Sequence, residues 1–293
     1  MNTPIIATLR PSHLPYLKEL KKAGMTIARL NGSYGTTKWH NQTIDLIRKE
    51  IPETSILLDI PGRKLRLPIT EIIHVKKNQV INLPIPNWIP DQTHIIFDDG
   101  KLSGILRKKI GIQFEQDGQL HPQIGMNIPG VPLQGPLLTA KDHEIITLAR
   151  EKSVNWIGIS FIDDPDVIHT IKSLCNIPCA AKIETSQALC HLEEITKISE
   201  MVIVARGDLS VECGLFNVIK HQKQILKTCQ QFKKPGVVAT GLLSLYPPEQ
   251  STIADIQNAI LDGASYLLVS SDLPEGKEAI TRLQTLRKII KAL

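Results

Sequence analysis

Short apolar runs alternate with amphipathic stretches along this chain, and no other feature narrows its fold so far. Eight runs read as strands: "IIATL" (5–9), "TIARL" (26–30), "SILLD" (55–59), "WIGISF" (156–161), "CAAKIE" (179–184), "MVIVARGD" (201–208), "GVVAT" (236–240) and "YLLVSS" (266–271). Each is mostly apolar, as a parallel strand buried on both faces must be. Stretches of helical period follow them, from "PSHLPYLKELKKAG", which stops at Gly24, to "EAITRLQTLRKIIKAL" at the end. With residues 67–130 set aside, eight β/α units fill about 230 residues, the count of a (β/α)8 TIM barrel. A doubly wound open sheet would usually offer a glycine-rich phosphate turn after its first strand, and "ATLRPSHL" is not one.

Residues 67–130 break the rhythm. "EIIHVKKNQVINL", "THIIFDDGKLSGIL" and "IGIQFEQDGQLHP" alternate in polarity, carry DDG, SG and DG turn signals, and contain no helical pattern. The expectation is an α/β barrel made of residues 1–66 and 131–293, with 67–130 inserted after barrel strand three as a small antiparallel β domain, a lid.

Composition excludes several function classes. No apolar run approaches a membrane span, and the N-terminus lacks the features of a secretory signal, so a cytoplasmic protein with no membrane partner is expected. The five cysteines, Cys175, Cys179, Cys190, Cys213 and Cys229, include no CxxC pair and read as reduced, mostly buried thiols. Net charge is +5, but the basic runs "RKLR" (63–66) and "LRKK" (106–109) lack interleaved aromatics, which argues against nucleic acid as a partner. The nine histidines have no ligand spacing, and most read as surface residues. No P-loop, kinase glycine loop or Ser–His–Asp arrangement is present.

In a barrel, chemistry sits at the C-terminal ends of the strands, and polar residues gather there. Strand two ends in Arg29, Asn31 and Ser33, strand three in Asp59, strand five in Lys182 and Glu184, strand six in Arg206 and Asp208, and strand seven in Thr240. Residues two apart on a strand share a face, so Lys182 and Glu184 leave strand five together. Glu184 and Asp208 offer hard carboxylate oxygens for Mg²⁺ or Mn²⁺, and Lys182 and Arg29 are cations beside them. Metal plus cations is what a transferring phosphoryl group or an enolate requires.

The chain resembles the pyruvate kinase family at "MTIARLNGSYGTTKWH", "LLDIPGRKLR", "IGMNIPGVPL", "AAKIET", "MVIVARGDLSVE", "KPGVVATGLL" and "NAILDGASYLLVSSD", in family order and over nearly the whole length. The resemblance implies a kinase of glycolysis that moves the phosphoryl group of phosphoenolpyruvate to a nucleoside diphosphate such as ADP, giving pyruvate and ATP. It assigns Lys182 and Arg29 to the phosphoryl group and Glu184 and Asp208 to the divalent metal. The backbone of Ala205, Arg206 and Gly207, beside Asp208, is assigned to the substrate carboxylate, and Thr240 to enolpyruvate protonation. Asn31, Ser33 and Asp59 match three positions of a potassium site.

Departures from the family pattern sharpen these expectations. Ile60 stands where the fourth potassium ligand is a threonine, and Lys64 where a glutamate is usual, so an ammonium near Asp59 is expected to replace K⁺. Ile124 replaces a lysine that helps hold nucleotide, Tyr34 a histidine and Gly241 a glutamine, and "PEQST" replaces Thr-Arg-Ala-Glu. The inserted domain is short, and the family's C-terminal domain is not expected in this chain; a homo-oligomer is still compatible with it. Two other readings stay open: an Mg²⁺-dependent enzyme on phosphoenolpyruvate or a pyruvate-like acid with another acceptor or enolate chemistry, and a non-catalytic sensor.

Overall fold

The computed structural model describes residues 3–243 and 245–293. Eight parallel strands close into a barrel: β1 (Ile5–Thr8), β2 (Met25–Asn31), β3 (Ser55–Ile60), β4 (Trp156–Ile159), β5 (Cys179–Ile183), β6 (Met201–Ala205), β7 (Gly236–Ala239) and β8 (Tyr266–Val269). Each strand pairs with its neighbours in sequence, and β1 pairs with β8 to close the ring. The ring is the one expected from the alternating pattern.

Among the described residues, ten α-helices pack outside. The first four are α1 (Leu17–Ala23), α2 (Thr37–Glu50), α3 (Ala140–Glu151) and α4 (Asp166–Leu174). They are followed by α5 (Ser186–Cys190), α6 (Leu192–Ile198), α7 (Arg206–Cys213), α8 (Val218–Gln231), α9 (Gln250–Leu261) and α10 (Glu278–Lys291). Two helical stretches and one strand-like run differ from the sequence pattern. "PSHLPY" is a 3₁₀ turn and only Leu17–Ala23 is α-helical, because Pro15 has no N–H to give to an α-helical ladder. The pattern "QALCHLEEITKI" is two short helices meeting at His191. The run 201–208 is strand only to Ala205. Helix α7 starts at Arg206, with Asp208 in its first turn where a carboxylate favours a helix N-terminus.

Two apolar layers hold the barrel. The larger lies between strands and helices and includes Ala7, Ala28, Leu58 and Ala181. The smaller fills the ring and contains Ile6, Ile27, Leu57, Ala180, Met201, Ile203, Val237 and Leu268. A strand's period of two then dictates what comes next on the inward face. Two residues beyond Ile6 is Thr8, beyond Ile27 is Arg29, beyond Leu57 is Asp59, and beyond Ala180 is Lys182. The interior is apolar in its body and charged at its mouth.

The inserted domain comprises antiparallel strands between Leu65 and Asn127, in sheets of six and two strands. Its own core is built on Phe97, Phe114, Ile95, Ile112 and Leu120. Among the described residues no helix is long and apolar enough to cross a membrane. All five cysteines are free thiols; Cys175, Cys179 and Cys229 are buried, and burial pushes the Cys179 and Cys229 thiols up to about 12. His13 and His40 depart from the surface reading: both are fully buried and bond to backbone carbonyls of Pro274 and Tyr34.

Candidate active site

At the mouth of the barrel the charged side chains form one buried layer. Arg29 donates through Nε and Nη2 to Asp59 Oδ2 at 2.9 and 2.6 Å and through Nη1 to Thr8 Oγ1 at 2.8 Å. Lys182 Nζ lies 2.7 Å from Glu184 Oε1 and 3.6 Å from Asp59 Oδ2, and donates to Ser160 Oγ at 2.9 Å. Glu184 Oε2 accepts the Phe161 N–H at 2.6 Å. Arg29 is 6 %, Asp59 0 %, Lys182 9 % and Glu184 1 % exposed. Charges this deep are tolerated only when paired and hydrogen-bonded, and here every one is.

Lys64 completes the layer on the side of the lid. Its ammonium donates to Asp208 Oδ1 at 2.7 Å and to Asp99 Oδ1, at the lid's tip, at 3.3 Å. Burial opposes its charge, but Asp208, Asp99 and Glu184 outweigh burial and hold the ammonium above the usual lysine range. The expectation that Lys64 stands beside Asp59 is therefore corrected. Asp59 already faces two cations, Arg29 and Lys182, so the third ammonium goes to a carboxylate that they do not neutralise. Asn31 pairs in register with Asp59, but its side chain turns back to accept the Ser33 N–H at 3.1 Å. Asp59 Oδ1 is buried without a hydrogen-bond partner. It lies where a Cβ on Gly158 would come within 2.0 Å.

Glu184 and Asp208 are the two carboxylates that would hold a divalent cation. Desolvation raises the Glu184 carboxyl above its ordinary range and the neighbouring Asp208 charge adds to it, against the opposing effect of Lys182. A buried carboxylate strained by a like charge gains from a cation between them. Among the described residues no group of three Asp, Glu, His or Cys side chains is gathered for a metal. One or two carboxylates suffice for Mg²⁺ when substrate oxygens fill its shell.

Ala205 ends β6, and Arg206 and Gly207 open α7, where the first backbone N–H groups have no carbonyl partner within the helix. Thr240 follows β7 in the left-handed region, at φ 72°. A β-branched residue there costs about 1–3 kcal/mol and needs something to hold it. Its side chain leans over Gly207, where an added Cβ would meet Thr240 Cγ2 at 3.4 Å and Oγ1 at 3.9 Å.

Arg29, Asp59, Lys182 and Glu184 are thus brought into one connected network, and Lys64 and Asp208 into a second beside it; Thr240 and Gly207 meet one strand further on. Thr8 and Ser160 belong to the first network and were not singled out in the sequence, although each stands at the C-terminal end of its strand. On the lid, Ile124 is 7 % exposed and packs in the domain's own core; on the barrel, Tyr34, between β2 and α2, is 69 % exposed. Asn127 Nδ2 donates to Glu212 Oε1 on α7 at 3.0 Å, so the lid rests on the helix that carries Asp208. Between them lies a narrow cleft of about 20 Å³ lined by Lys64, Asn127, Phe161, Thr185 and Glu212 among others.

The family model for the barrel domain of pyruvate kinase matches residues 1–92 and 71–281. Aligned over 99% of its length, the chain is 28% identical to the pyruvate kinase of Thermotoga maritima, of which it covers 70%. The corresponding figures are 29%, 99% and 69% for that of Thermococcus litoralis, and 30%, 98% and 56% for that of Sporosarcina psychrophila. The chain therefore spans between just over half and about two thirds of the length of the relatives it matches.

Proposed function

The chain belongs to the pyruvate kinase family, and from that premise we propose that it transfers the phosphoryl group of phosphoenolpyruvate to a nucleoside diphosphate. The observation that carries the reading is the buried layer in which Lys182 stands between Glu184 and Asp59, the latter shared with Arg29, with the Asp208 charge next to Glu184. Arg29 and Lys182 hold the phosphoryl oxygens and stabilise the charge that spreads over them in transfer. The backbone N–H groups of Ala205, Arg206 and Gly207 hold the substrate carboxylate against the start of α7. The bond between phosphorus and the C2 oxygen breaks, a bond from phosphorus to the acceptor's terminal oxygen forms, and enolpyruvate is left behind. In this reading Thr240 Oγ1 serves the protonation of C3 as C2 becomes a carbonyl.

A divalent cation, Mg²⁺ or Mn²⁺, held by Glu184 and Asp208 would neutralise phosphate charge and polarise the substrate oxygens. We propose that the reaction needs no K⁺, because the Asp59 charge already meets Arg29 and Lys182. ADP is the acceptor in this reading. Another acceptor is the second reading: Ile124, buried in the lid core, offers no cation to a nucleotide phosphate.

The test is pyruvate release from phosphoenolpyruvate and Mg²⁺ with a panel of nucleoside diphosphates, in K⁺-free buffer and with K⁺ added. Release that requires a diphosphate and is indifferent to K⁺ is expected. Release without any diphosphate selects the second reading, and no release under any condition overturns both.

A further inference from the structure

We propose that Asp255 is a positioning residue for the protonation step: through the Arg206 side chain it locks the main chain at Thr240. The inference rests on the phosphoenolpyruvate reading above and adds a role for two side chains that lie behind the site. Arg206 has been considered so far only for its backbone. Its guanidinium turns away from the mouth and donates to the Thr240 carbonyl twice, from Nε at 2.9 Å and from Nη2 at 2.6 Å. On its other edge it meets Asp255 of α9 as a fork, Nη1 to Oδ1 at 2.8 Å and Nη2 to Oδ2 at 2.9 Å. Gln222 of α8 lies 3.4 Å from Nη1.

This arrangement answers the question raised by the backbone. Thr240 and Gly241 are consecutive residues at positive φ, 72° and 77°. Glycine adopts that region freely, and threonine does not. Two charge-assisted bonds to one carbonyl fix the plane of the peptide between them, and a bidentate carboxylate fixes the guanidinium that makes those bonds. Arg206 is 9 % exposed, so its bonds to the carbonyl are little screened by solvent, while the Asp255 side chain at the outer edge is 31 % exposed. Its consequence is that the Thr240 side chain faces Gly207, where the carboxylate end of the substrate is proposed to lie. Asp255 itself does not reach that position; it acts through Arg206, whose side chain links α9 to the end of β7.

The test compares the wild type with Asp255→Asn and Asp255→Glu. The asparagine keeps the shape but turns an N–H toward the guanidinium, and the glutamate restores the charge. Amide hydrogen exchange of the peptide 236–243 reads the clamp without any substrate. It is expected to speed up about tenfold in D255N, with the rest of the barrel unchanged, and to recover in D255E. Kinetics read its purpose: kcat for pyruvate formation falls about tenfold or more in D255N, KM for phosphoenolpyruvate stays within about threefold, and D255E recovers most of the loss. Unchanged exchange at 236–243, or a loss confined to KM, overturns the proposal. If the wild type forms no pyruvate, the reading of the function fails by itself, and the exchange comparison still decides whether the clamp exists.

Discussion

Lys182 serves two partners, and a change to it should be felt by both. Its ammonium is the nearest cation to the buried Glu184 carboxylate, 2.7 Å away, and one of the two cations proposed to hold the phosphoryl group. Lys182→Met is expected to lower kcat about 10²–10³-fold, as removal of a transition-state charge partner does, with the steady-state rate of pyruvate formation as the check. A methionine that supported the wild-type rate would remove Lys182 from the chemistry. Gly158 tests the packing side of the same layer. A methyl group there would meet Asp59 Oδ1 at 2.0 Å, so Gly158→Ala should cost about 1–3 kcal/mol of stability in urea unfolding. Legibility at this scale followed strand geometry. Lys182, Glu184, Arg29 and Asp59 stand where a period of two turns charge inward at a strand's end, and Thr8 and Ser160 obey the same rule with less conspicuous chemistry. Asp255 sits inside a helix, where that rule says nothing, and the direction of the Lys64 side chain depends on which carboxylate lies unpaired in three dimensions.

Helix α7 brings together what the sequence keeps apart. It begins with the residues proposed to cradle a carboxylate, carries Asp208 in its first turn, and receives the lid through Glu212. Lys64 joins the same helix to the lid's tip, since one ammonium touches both Asp208 and Asp99. That contact places a lysine on a carboxylate proposed to bind metal. Lys64→Met should therefore tighten Mn²⁺ binding about tenfold in calorimetric titration without substrate, because the competing charge is gone. Unaltered affinity would mean that the ammonium leaves Asp208 in solution. The strand-like run "MVIVARGD" concealed this element: its apolar body belongs to β6, but the polar end is already helix. The lid's strands, by contrast, were readable from alternation and turn residues, because each of its faces meets a different environment.

Across the whole molecule, the joint between β1 and β8 bears the task of closure. Arg10 donates to the carbonyls of Ser270, Ser271 and Leu273, and the buried His13 ring spans from the Arg10 N–H to the Pro274 carbonyl. That bridge requires a neutral ring, one nitrogen accepting and the other donating. Desolvation lowers the pKa of His13, and likewise of His40, below the ordinary imidazole value of 6.5. The unfolded chain binds these protons first as pH falls, so stability is full above about 6.5 and declines below it, down to the folded-state values. The midpoint of thermal unfolding should drop between pH 7 and pH 5.5, and His13→Gln should flatten that drop; an equal slope in both proteins would place the acid sensitivity elsewhere. The ring itself was legible because eight apolar runs of similar length leave few other ways to bury every strand on both faces. The seam was not, because it joins residues about 260 positions apart with no pattern in common. One property of the charged layer bears on how such a ring is made. The Arg29–Asp59 pair comes wholly from the first half of the barrel and the Lys182–Glu184 pair wholly from the second. Synthesis delivers the chain from its N-terminus, so these two deepest pairs are each complete within their own half, and it is the less deeply buried Lys64 that waits for Asp208 from the second.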